Sequence, residues 1–147
     1  MSKIDSAYFN EKGEHGDERG NLVVVEGERD VPFAIQRVFY IYGSDPDIVR
    51  GQHANRKSQF VLINVAGQSK IRVKDGLGNE AVFCLNRPRT GVYIPTMAWK
   101  EMYDFSPDSV LLCLASEHYD ESEYIRDFAA FTAEVRTANQ AATGGNR

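Results

Sequence analysis

The sequence has little of what several classes of protein need. Its 147 residues include only two cysteines, Cys84 and Cys113, each within an apolar run and neither in a Cys-x-x-Cys pair. We expect two buried, reduced thiols, because a free cysteine packs as a small hydrophobe. No run approaches the ~18 consecutive apolar residues that span a membrane, and the first residues lack the apolar stretch of a signal peptide. These absences predict a soluble, cytoplasmic protein.

Positive charge is also scarce. Lysine and arginine number 17 against 21 aspartates and glutamates, which gives a net charge of −4. The basic residues are scattered along the chain, so no global positive field is available to attract nucleic acid. Any positive charge that serves function must therefore be local, inside a site.

What is present is a series of short strands. Between Gly20 and Ser116, runs rich in β-branched and aromatic residues end at turn residues such as Asp75-Gly76. The predicted strands cover residues 22–26, 33–42, 59–65, 70–74, 81–85, 90–94 and 109–115. Many short strands with a turn every 8–12 residues favour an all-β sandwich or barrel.

The end of the chain has a different pattern. From Asp120 to about Thr137 the aromatic residues Tyr124, Phe128 and Phe131 recur at helical spacing, which predicts one helix on the outside of the barrel. The last residues, 139–147, are rich in small and polar residues and predict a disordered tail. We therefore expect a single domain over residues 1–138.

One predicted strand, residues 50–63, carries polar side chains among apolar ones. Alternate side chains of a strand point to the same face. This face combines His53, Asn55, Lys57 and Gln59 with Val61 and Ile63. Such a face fits a barrel interior with a polar mouth and an apolar floor. It also fits a strand that leaves the core and enters solvent, and alternation alone does not decide between them.

Further polar and aromatic residues are candidates for the same site. Tyr40 and Tyr42 share a face of their strand, and Arg19 and Arg50 each precede a glycine at a strand edge. Arginine binds a diphosphate well through its bidentate guanidinium group. The plainer interpretations are packing for the tyrosines and a surface position for the arginines.

Six sequence blocks follow the order of motifs in a known family. The central block, Arg50-Gly51-Gln52-His53-Ala54-Asn55-Arg56-Lys57, resembles the Arg-Gly-x-His-x-His-(x)-Lys stretch of the sugar 3,4-ketoisomerases, often labelled WxcM-like cupins. The other blocks are residues 17–22, 32–41, 91–95, 99–105 and 115–126. Together they span about residues 17–131, and the ordered set is more specific than any one block.

The resemblance implies a cupin double-stranded β-helix, a jelly-roll barrel that usually dimerises by exchanging an N-terminal strand. It implies that the barrel binds a dTDP-linked 4-keto-6-deoxy-hexose and moves its keto group from C4 to C3, with no metal and no redox cofactor. Such a reaction serves deoxyamino-sugar biosynthesis for surface polysaccharide. The substrate and the second copy of the chain are then the expected partners, with neither nucleic acid nor membrane involved.

Moving a ketone to the neighbouring carbon requires proton transfer through an enediol or enediolate. His53 is the candidate base, because the pKa of histidine is ordinarily close to neutral. Asn55 stands where the family motif has its second histidine; it cannot transfer a proton but can donate a hydrogen bond. Three outcomes stay open: His53 makes both transfers, Tyr40 or Tyr42 supplies the second proton, or this branch of the family catalyses a slightly different reaction.

The remaining candidates would bind the substrate. Lys57 and Gln59 would hold sugar oxygens, and Arg19 and Arg50 would hold the diphosphate. The aromatic side chains of Tyr93 and Trp99 would line the pocket.

Two other functions stay open at this point. A related metal-free cupin epimerase pairs a histidine base with a tyrosine acid, and a binding protein would use the same pocket without turnover. A metal-dependent cupin is disfavoured, because its His-x-His pair is His53-Ala54-Asn55 here and Lys57 follows.

Overall fold

The structure, a computed structural model, describes residues 8–9, 14–17 and 20–144. Within these residues the chain forms short β-strands, one 3₁₀ helix and one α-helix. The strands are β1 (Tyr8–Phe9), β2 (Glu14–Asp17), β3 (Gly20–Val23), β4 (Arg37–Tyr42), β5 (Arg50–Asn55), β6 (Phe60–Ala66), β7 (Ser69–Lys74), β8 (Glu80–Leu85), β9 (Gly91–Ile94), β10 (Trp99–Tyr103), β11 (Val110–Ala115) and β12 (Tyr124–Ile125). The 3₁₀ helix is Glu121–Glu123, and helix α1 is Phe128–Gly144.

The strands form two five-stranded antiparallel sheets and a small ribbon. The first sheet has the order β1-β9-β6-β11-β4, and the second has the order β12-β5-β10-β7-β8. Within the described residues, strands β2 and β3 form a two-stranded sheet of their own. Consecutive strands thus alternate between the sheets at several points, as in a jelly roll. This arrangement confirms the prediction of an all-β cupin barrel with a C-terminal helix.

The core lies between the two sheets. Phe60 and Leu62 from the first sheet meet Ile71 and Val73 from the second, and all four side chains are almost fully buried. Burying an aliphatic or aromatic side chain contributes roughly 1.5–3 kcal/mol. This shared core fixes the spacing of the sheets and so the position of the side chains that face the space between them.

Helix α1 packs on the outer face of the second sheet. Trp99 of β10 contacts Phe128 and Phe131 of the helix, with ring centroids 5.2 Å and 5.8 Å apart. Ala54 and Ile125 complete this small buried cluster. In the part of the chain that the structure describes, no helix has the length and hydrophobicity needed to cross a bilayer.

The helix differs from its prediction at both ends. The stretch from Asp120 begins with the 3₁₀ helix and with β12, because Tyr124 and Ile125 pair with β5. Helix α1 then begins at Phe128 and continues to Gly144, through residues for which the composition predicts disorder. Alanines at 141 and 142 are strong helix formers, which accounts for the continuation. Residues 145–147 lie outside the described residues.

The predicted strand over residues 50–63 is two strands in two different sheets. A turn at residues 56–59 separates β5 from β6. The backbone N–H groups of Lys57 and Ser58 leave the ladder there and donate to the Glu123 carboxylate over 2.8 Å each. The alternation of side chains therefore does not continue from His53 to Val61.

The cysteines are both free, and only one is buried as predicted. Cys113 lies in the core, whereas Cys84 is exposed on β8. Strand β8 is at the edge of its sheet, so its outward side chains face solvent.

Candidate active site

A cavity of about 460 Å³ lies between the sheets, within the usual size of a small-molecule site. Its walls come from β4, β6 and β11 of the first sheet and from β5 and β10 of the second. The apolar lining is formed by Phe39, Ile41, Phe60, Leu62 and Met102. The polar lining is formed by Arg37, Arg50, His53, Lys100, Tyr119 and Tyr124.

A bulge in β5 directs His53 into the cavity. Gly51 and Gln52 have φ values of 83° and 56°, and the β5–β10 register shifts between Lys100 and Glu101. A Cβ atom on Gly51 would lie 2.8 Å from the carbonyl oxygen of Lys100, so this position requires glycine. The Nδ1–H of His53 donates to the Gly51 carbonyl oxygen over 3.0 Å. Because a carbonyl only accepts, the lone pair of the imidazole is on Nε2.

The imidazole of His53 is uncharged at neutral pH. Burial first, and then the positive charge of Lys100, lowers the pKa of His53 to about 3. Its ring packs against that of Tyr124, with centroids 4.8 Å apart. A neutral imidazole with its lone pair on Nε2 is free to accept a proton. The lowered pKa differs from the near-neutral value that the sequence predicts and makes His53 a weaker base than an ordinary histidine.

Lys100 lies beside His53 on the neighbouring strand. The Cα atoms of the two residues are partners in the β10–β5 ladder, and Lys100 is only 3% exposed. Its Nζ donates to Oδ1 of Asn55 over 2.7 Å and lies 4.2 Å from the ring centroid of Phe60. Burial lowers the pKa of Lys100 to about 7, so the ammonium and amine forms are both present near neutral pH.

A second cation, the half-buried Arg37, lies on the wall formed by the first sheet. Its guanidinium carbon is within 5.3–5.9 Å of the ring centroids of Phe39, Phe60 and Tyr119. Its Nη1 donates to the hydroxyl of Tyr124 over 3.5 Å. Its Nε and Nη2 groups are buried and find no hydrogen-bond partner among the described residues. These N–H groups can bind an anionic oxygen of a ligand.

Two tyrosines stand near the mouth of the cavity. The rings of Tyr119 and Tyr124 lie 5.6 Å apart. Tyr124 is fixed by the pairing of β12 with Asn55 and by Arg126, whose guanidinium lies 4.8 Å from the tyrosine ring. Tyr119 is 59% exposed and so borders the entrance.

The cavity is electropositive although the protein is acidic overall. Its charged lining residues are Arg37, Arg50 and Lys100, and no aspartate or glutamate of the described chain lines it. Among the residues that the structure describes, no group of three or more His, Cys, Asp or Glu side chains is arranged to hold a metal ion. The arrangement suits an anionic ligand, or one that becomes anionic during a reaction.

Three of the sequence-predicted site residues line the cavity. His53 is in its wall, and Arg50 is exposed at its mouth. Tyr40 contributes to the rim, but it is 62% exposed and stacks on the outer face of β4 against Tyr42, at 6.1 Å between ring centroids. Tyr42 is not in the lining.

The other predicted residues lie elsewhere. Asn55 is buried behind Lys100, and Lys57 is exposed in the turn after β5. Tyr93 donates its hydroxyl hydrogen to Oε1 of Gln59 over 2.7 Å, and neither residue lines the cavity. Trp99 lies beneath α1 on the outside of the second sheet, where its Nε1–H donates to the Glu101 carboxylate. Arg19 is outside the described residues.

Sequence reasoning missed Arg37, Lys100, Tyr119 and Tyr124. A signal existed for two of them, because Arg37 shares a strand face with Phe39 and Ile41, and Lys100 shares one with Met102. A charged residue on an otherwise apolar face indicates a buried functional group. No periodic pattern marks Tyr119, and the helical spacing of Tyr124 with Phe128 was misleading, because Tyr124 lies in β12. Both tyrosines reach the cavity through tertiary contacts distant in sequence.

Comparison with known proteins identifies relatives whose names give sugar nucleotides as substrates, and an electropositive cavity suits such anionic ligands. A family model described as "FdtA: WxcM-like, C-terminal" matches residues 6–136. The chain is 37% identical over 123 residues to a TDP-4-oxo-6-deoxy-alpha-D-glucose-3,4-oxoisomerase of Aneurinibacillus thermoaerophilus, covering 84% of this chain and 88% of that protein.

Two solved structures share the fold at a similar identity. One is a 3,4-ketoisomerase from Helicobacter canadensis, with a TM-score of 0.83, 40% identity and coverage of 86% of this chain and 94% of that one. The other is a mutant of the 3,4-ketoisomerase QdtA from Thermoanaerobacterium thermosaccharolyticum in complex with TDP-4-keto-6-deoxyglucose. It has a TM-score of 0.83, 42% identity and coverage of 86% and 91%. The chain therefore belongs to the FdtA family, WxcM-like, whose relatives of similar sequence are sugar 3,4-ketoisomerases.

Proposed function

We propose that this protein is a TDP-sugar 3,4-ketoisomerase that converts a TDP-linked 4-keto-6-deoxyhexose into its 3-keto isomer. The observation that carries the proposal is the neutral imidazole of His53 inside a cavity whose charged lining residues, Arg37, Arg50 and Lys100, are all cations. Such a cavity supplies a base and also stabilises the negative charge that the base creates. The named activities of the relatives give the substrate class.

His53 removes the proton from C3 of the sugar, and the electron pair of that bond forms a C3–C4 double bond. The π electrons of the C4 carbonyl move to its oxygen, which becomes the anionic oxygen of an enediolate. Arg37, with buried N–H groups that lack protein partners, faces the cavity and can bind this oxygen. Return of a proton to C4 and transfer of the C3 hydroxyl proton to the C4 oxygen complete the exchange. C4 is reduced as C3 is oxidised, so the chemistry requires no external redox partner.

The diphosphate requires a cation near the entrance. Arg50 is exposed and lines the mouth of the cavity, which suits a bidentate contact with a phosphate group. Arg19, for which the sequence predicts the same role, keeps that role as a prediction. The pathway, deoxyamino-sugar synthesis for surface polysaccharide, and the cytoplasmic location likewise remain predictions.

Incubating the purified protein with TDP-4-keto-6-deoxyglucose in D₂O and following the sugar protons by NMR tests the proposal. We expect a 3-keto product with deuterium at the carbon that receives the transferred proton. A 4-keto product with inverted configuration would instead establish an epimerase, for which the contact between His53 and Tyr124 supplies a base and an acid. Tight binding with no exchange and no product would contradict both enzymatic functions.

We further propose that the protein is a homodimer with an exchanged N-terminal strand. The outer face of β4 exposes large apolar side chains, Val38 at 55%, Tyr40 at 62% and Tyr42 at 70%. The ribbon of β2 and β3 belongs to neither sheet and exposes Leu22. Apolar surfaces of this kind favour a protein–protein contact.

Replacing Val38 by aspartate should shift the protein from dimer to monomer in sedimentation velocity, because a charge would be buried in the contact. Val82→Asp is the matched control, since Val82 is 48% exposed on the opposite sheet and should leave the dimer intact. A wild-type protein that sediments as a monomer at micromolar concentration would contradict the proposal.

A further inference from the structure

The proposed reaction moves two protons, and the cavity contains a group for each. Besides the hydrogen that passes between C3 and C4, the hydroxyl proton must leave the C3 oxygen, and the C4 oxygen must gain one. His53 accounts for the first transfer. Asn55, at the position of the motif's second histidine, has no titratable group for the second and does not line the cavity.

We infer that Lys100 is the second catalytic residue of this enzyme and carries the proton between the two sugar oxygens, with Asn55 as its positioning residue. The inference rests on the proposed function. Lys100 lines the cavity, and its Cα atom is the direct cross-strand partner of that of His53. Both side chains thus project from the same face of the sheet into the same cavity.

The proton balance closes with this assignment. After His53 has taken the C3 proton, the Lys100 ammonium protonates the anionic C4 oxygen and becomes an amine. That amine then accepts the proton of the C3 hydroxyl as the C3 carbonyl forms, and the imidazolium of His53 delivers its proton to C4. Each side chain ends in the state in which it began, and no co-reactant is consumed.

The surroundings of Lys100 suit a group that both gives and takes a proton. Asn55 Oδ1 accepts one of its three N–H bonds and so fixes the position of Nζ without supplying a negative charge. Burial holds the pKa of Lys100 near 7, well below its ordinary value, and this favours proton transfer in both directions. The amine form is in turn suited to accept a hydroxyl proton.

The charged and titratable groups that face Lys100 come from several elements. Arg37 on β4 favours the amine, whereas Glu123 of the 3₁₀ helix favours the ammonium. Cys113 on β11 is an uncharged thiol near neutral pH, because burial raises its pKa to about 12. His53 and Arg50 on β5 share the cavity with it. Protonation of Lys100 and protonation of His53 oppose each other, because the charge of Lys100 lowers the pKa of His53.

The test distinguishes proton transfer at carbon from proton transfer between the sugar oxygens, and it uses the chain of 147 residues. Lys100→Met removes the titrating group, and Lys100→Arg keeps a charge that does not titrate near neutral pH. For each variant, deuterium exchange at C3 of TDP-4-keto-6-deoxyglucose and formation of the 3-keto product are measured separately by NMR. Lys70→Met is the matched control, since Lys70 lies on the adjacent strand β7 in an exposed ion pair with Asp104.

We expect product formation to fall about 10²–10³-fold in both Lys100 variants, as for loss of one general acid–base group. Exchange at C3 should fall much less, because His53 and Arg37 remain. The wild-type rate should change with pH near pH 7 as Lys100 titrates, and this change should be absent in Lys100→Arg. Circular dichroism and binding of TDP establish that each variant is folded.

Wild-type product formation and pH dependence in both variants would overturn the inference, as would an equal loss of exchange and product in folded Lys100→Arg. If Lys100→Met does not fold, the rates of folded Lys100→Arg and the pH dependence of the wild-type rate still test the role of Lys100. A wild-type enzyme that produces no 3-keto sugar would overturn the proposed function itself. The wild type is therefore assayed before any variant is made.

Discussion

Replacement of His53 by asparagine is expected to reduce isomerisation about 10²–10⁴-fold, the usual contribution of a general base. Asparagine is close to histidine in size and polar, so the bulge at Gly51 should persist. It cannot accept the C3 proton at neutral pH, however, and both product formation and exchange at C3 should be lost. This double loss distinguishes His53 from Lys100, for which exchange should largely remain.

The matched control is His118→Asn. His118 is exposed and does not line the cavity, so its loss should leave the rate within about twofold of wild type. Binding of TDP, followed by calorimetry, should be retained in both variants. Isomerisation at the wild-type rate by folded His53→Asn would remove this residue from the mechanism.

The pH dependence of the rate follows from the state of His53. Because its pKa is lowered to about 3 in the free enzyme, the imidazole is already a free base at pH 5 and above. Protonation of His53 should therefore not reduce kcat/KM between pH 5 and 8. Any change of rate near pH 7 belongs to another group, and Lys100 is the group of the cavity whose pKa lies there.

Short strands separated by regularly spaced turns predicted a sandwich or barrel, and several of these strands show the expected alternation of side chains. Strands such as β7, with Ile71 and Val73 inward and Lys70 and Lys74 less buried, show the period of two that a half-buried strand imposes. Short strands and turn residues predicted an all-β sandwich or barrel, and the family resemblance narrowed this to a cupin. The motif of that family, rather than composition, identified His53 as a site residue.

The same alternation failed where the chain leaves one sheet and enters the other. The turn at residues 56–59 interrupts the period, so extrapolating from His53 to Gln59 put Lys57 and Gln59 on a face that does not exist. The interruption is stabilised by Glu123, more than sixty residues away in sequence. No local pattern reveals a hydrogen bond of that kind.

On β4 the side chains alternate as the sequence predicts, but alternation does not show which of the two faces lines the cavity. The aromatic pair Tyr40 and Tyr42 suggested chemistry, whereas the inward face carries Phe39 and Ile41 with Arg37. Both faces of this edge strand carry large apolar or aromatic side chains, because Val38, Tyr40 and Tyr42 alternate with Phe39 and Ile41. Tertiary contacts, rather than periodicity, decide which face lines the cavity.

Removal of the Glu123 carboxylate should give the largest loss of stability. Glu123 is only 2% exposed, and Ser58 donates to it through both its backbone N–H and its hydroxyl group. The N–H of Lys57 is a third donor. Each buried donor left without an acceptor costs about 1–3 kcal/mol, so we expect Glu123→Ala to lower the free energy of unfolding by about 3–5 kcal/mol, measured by urea denaturation.

Glu121→Ala is the control for this experiment, because Glu121 is exposed in the same 3₁₀ helix and should change stability by no more than about 0.5 kcal/mol. A loss of less than about 1 kcal/mol in Glu123→Ala, near the net contribution of a single hydrogen bond, would show that the turn finds other acceptors.

The effect should also depend on pH in a defined direction. Burial opposes ionisation of Glu123, but its hydrogen bonds outweigh burial and lower its pKa below the ordinary value of 4.5. The unfolded chain then binds more protons than the native one in this range, so the stabilisation is complete above pH 4.5 and is lost as the pH falls through the lowered pKa. The difference in unfolding free energy between wild type and Glu123→Ala should accordingly be constant from pH 6 to 8 and shrink below pH 4.5.

Because Glu123 immediately precedes Tyr124, the variant should also loosen the contact between Tyr124 and His53 and reduce the rate of isomerisation even where the protein remains folded.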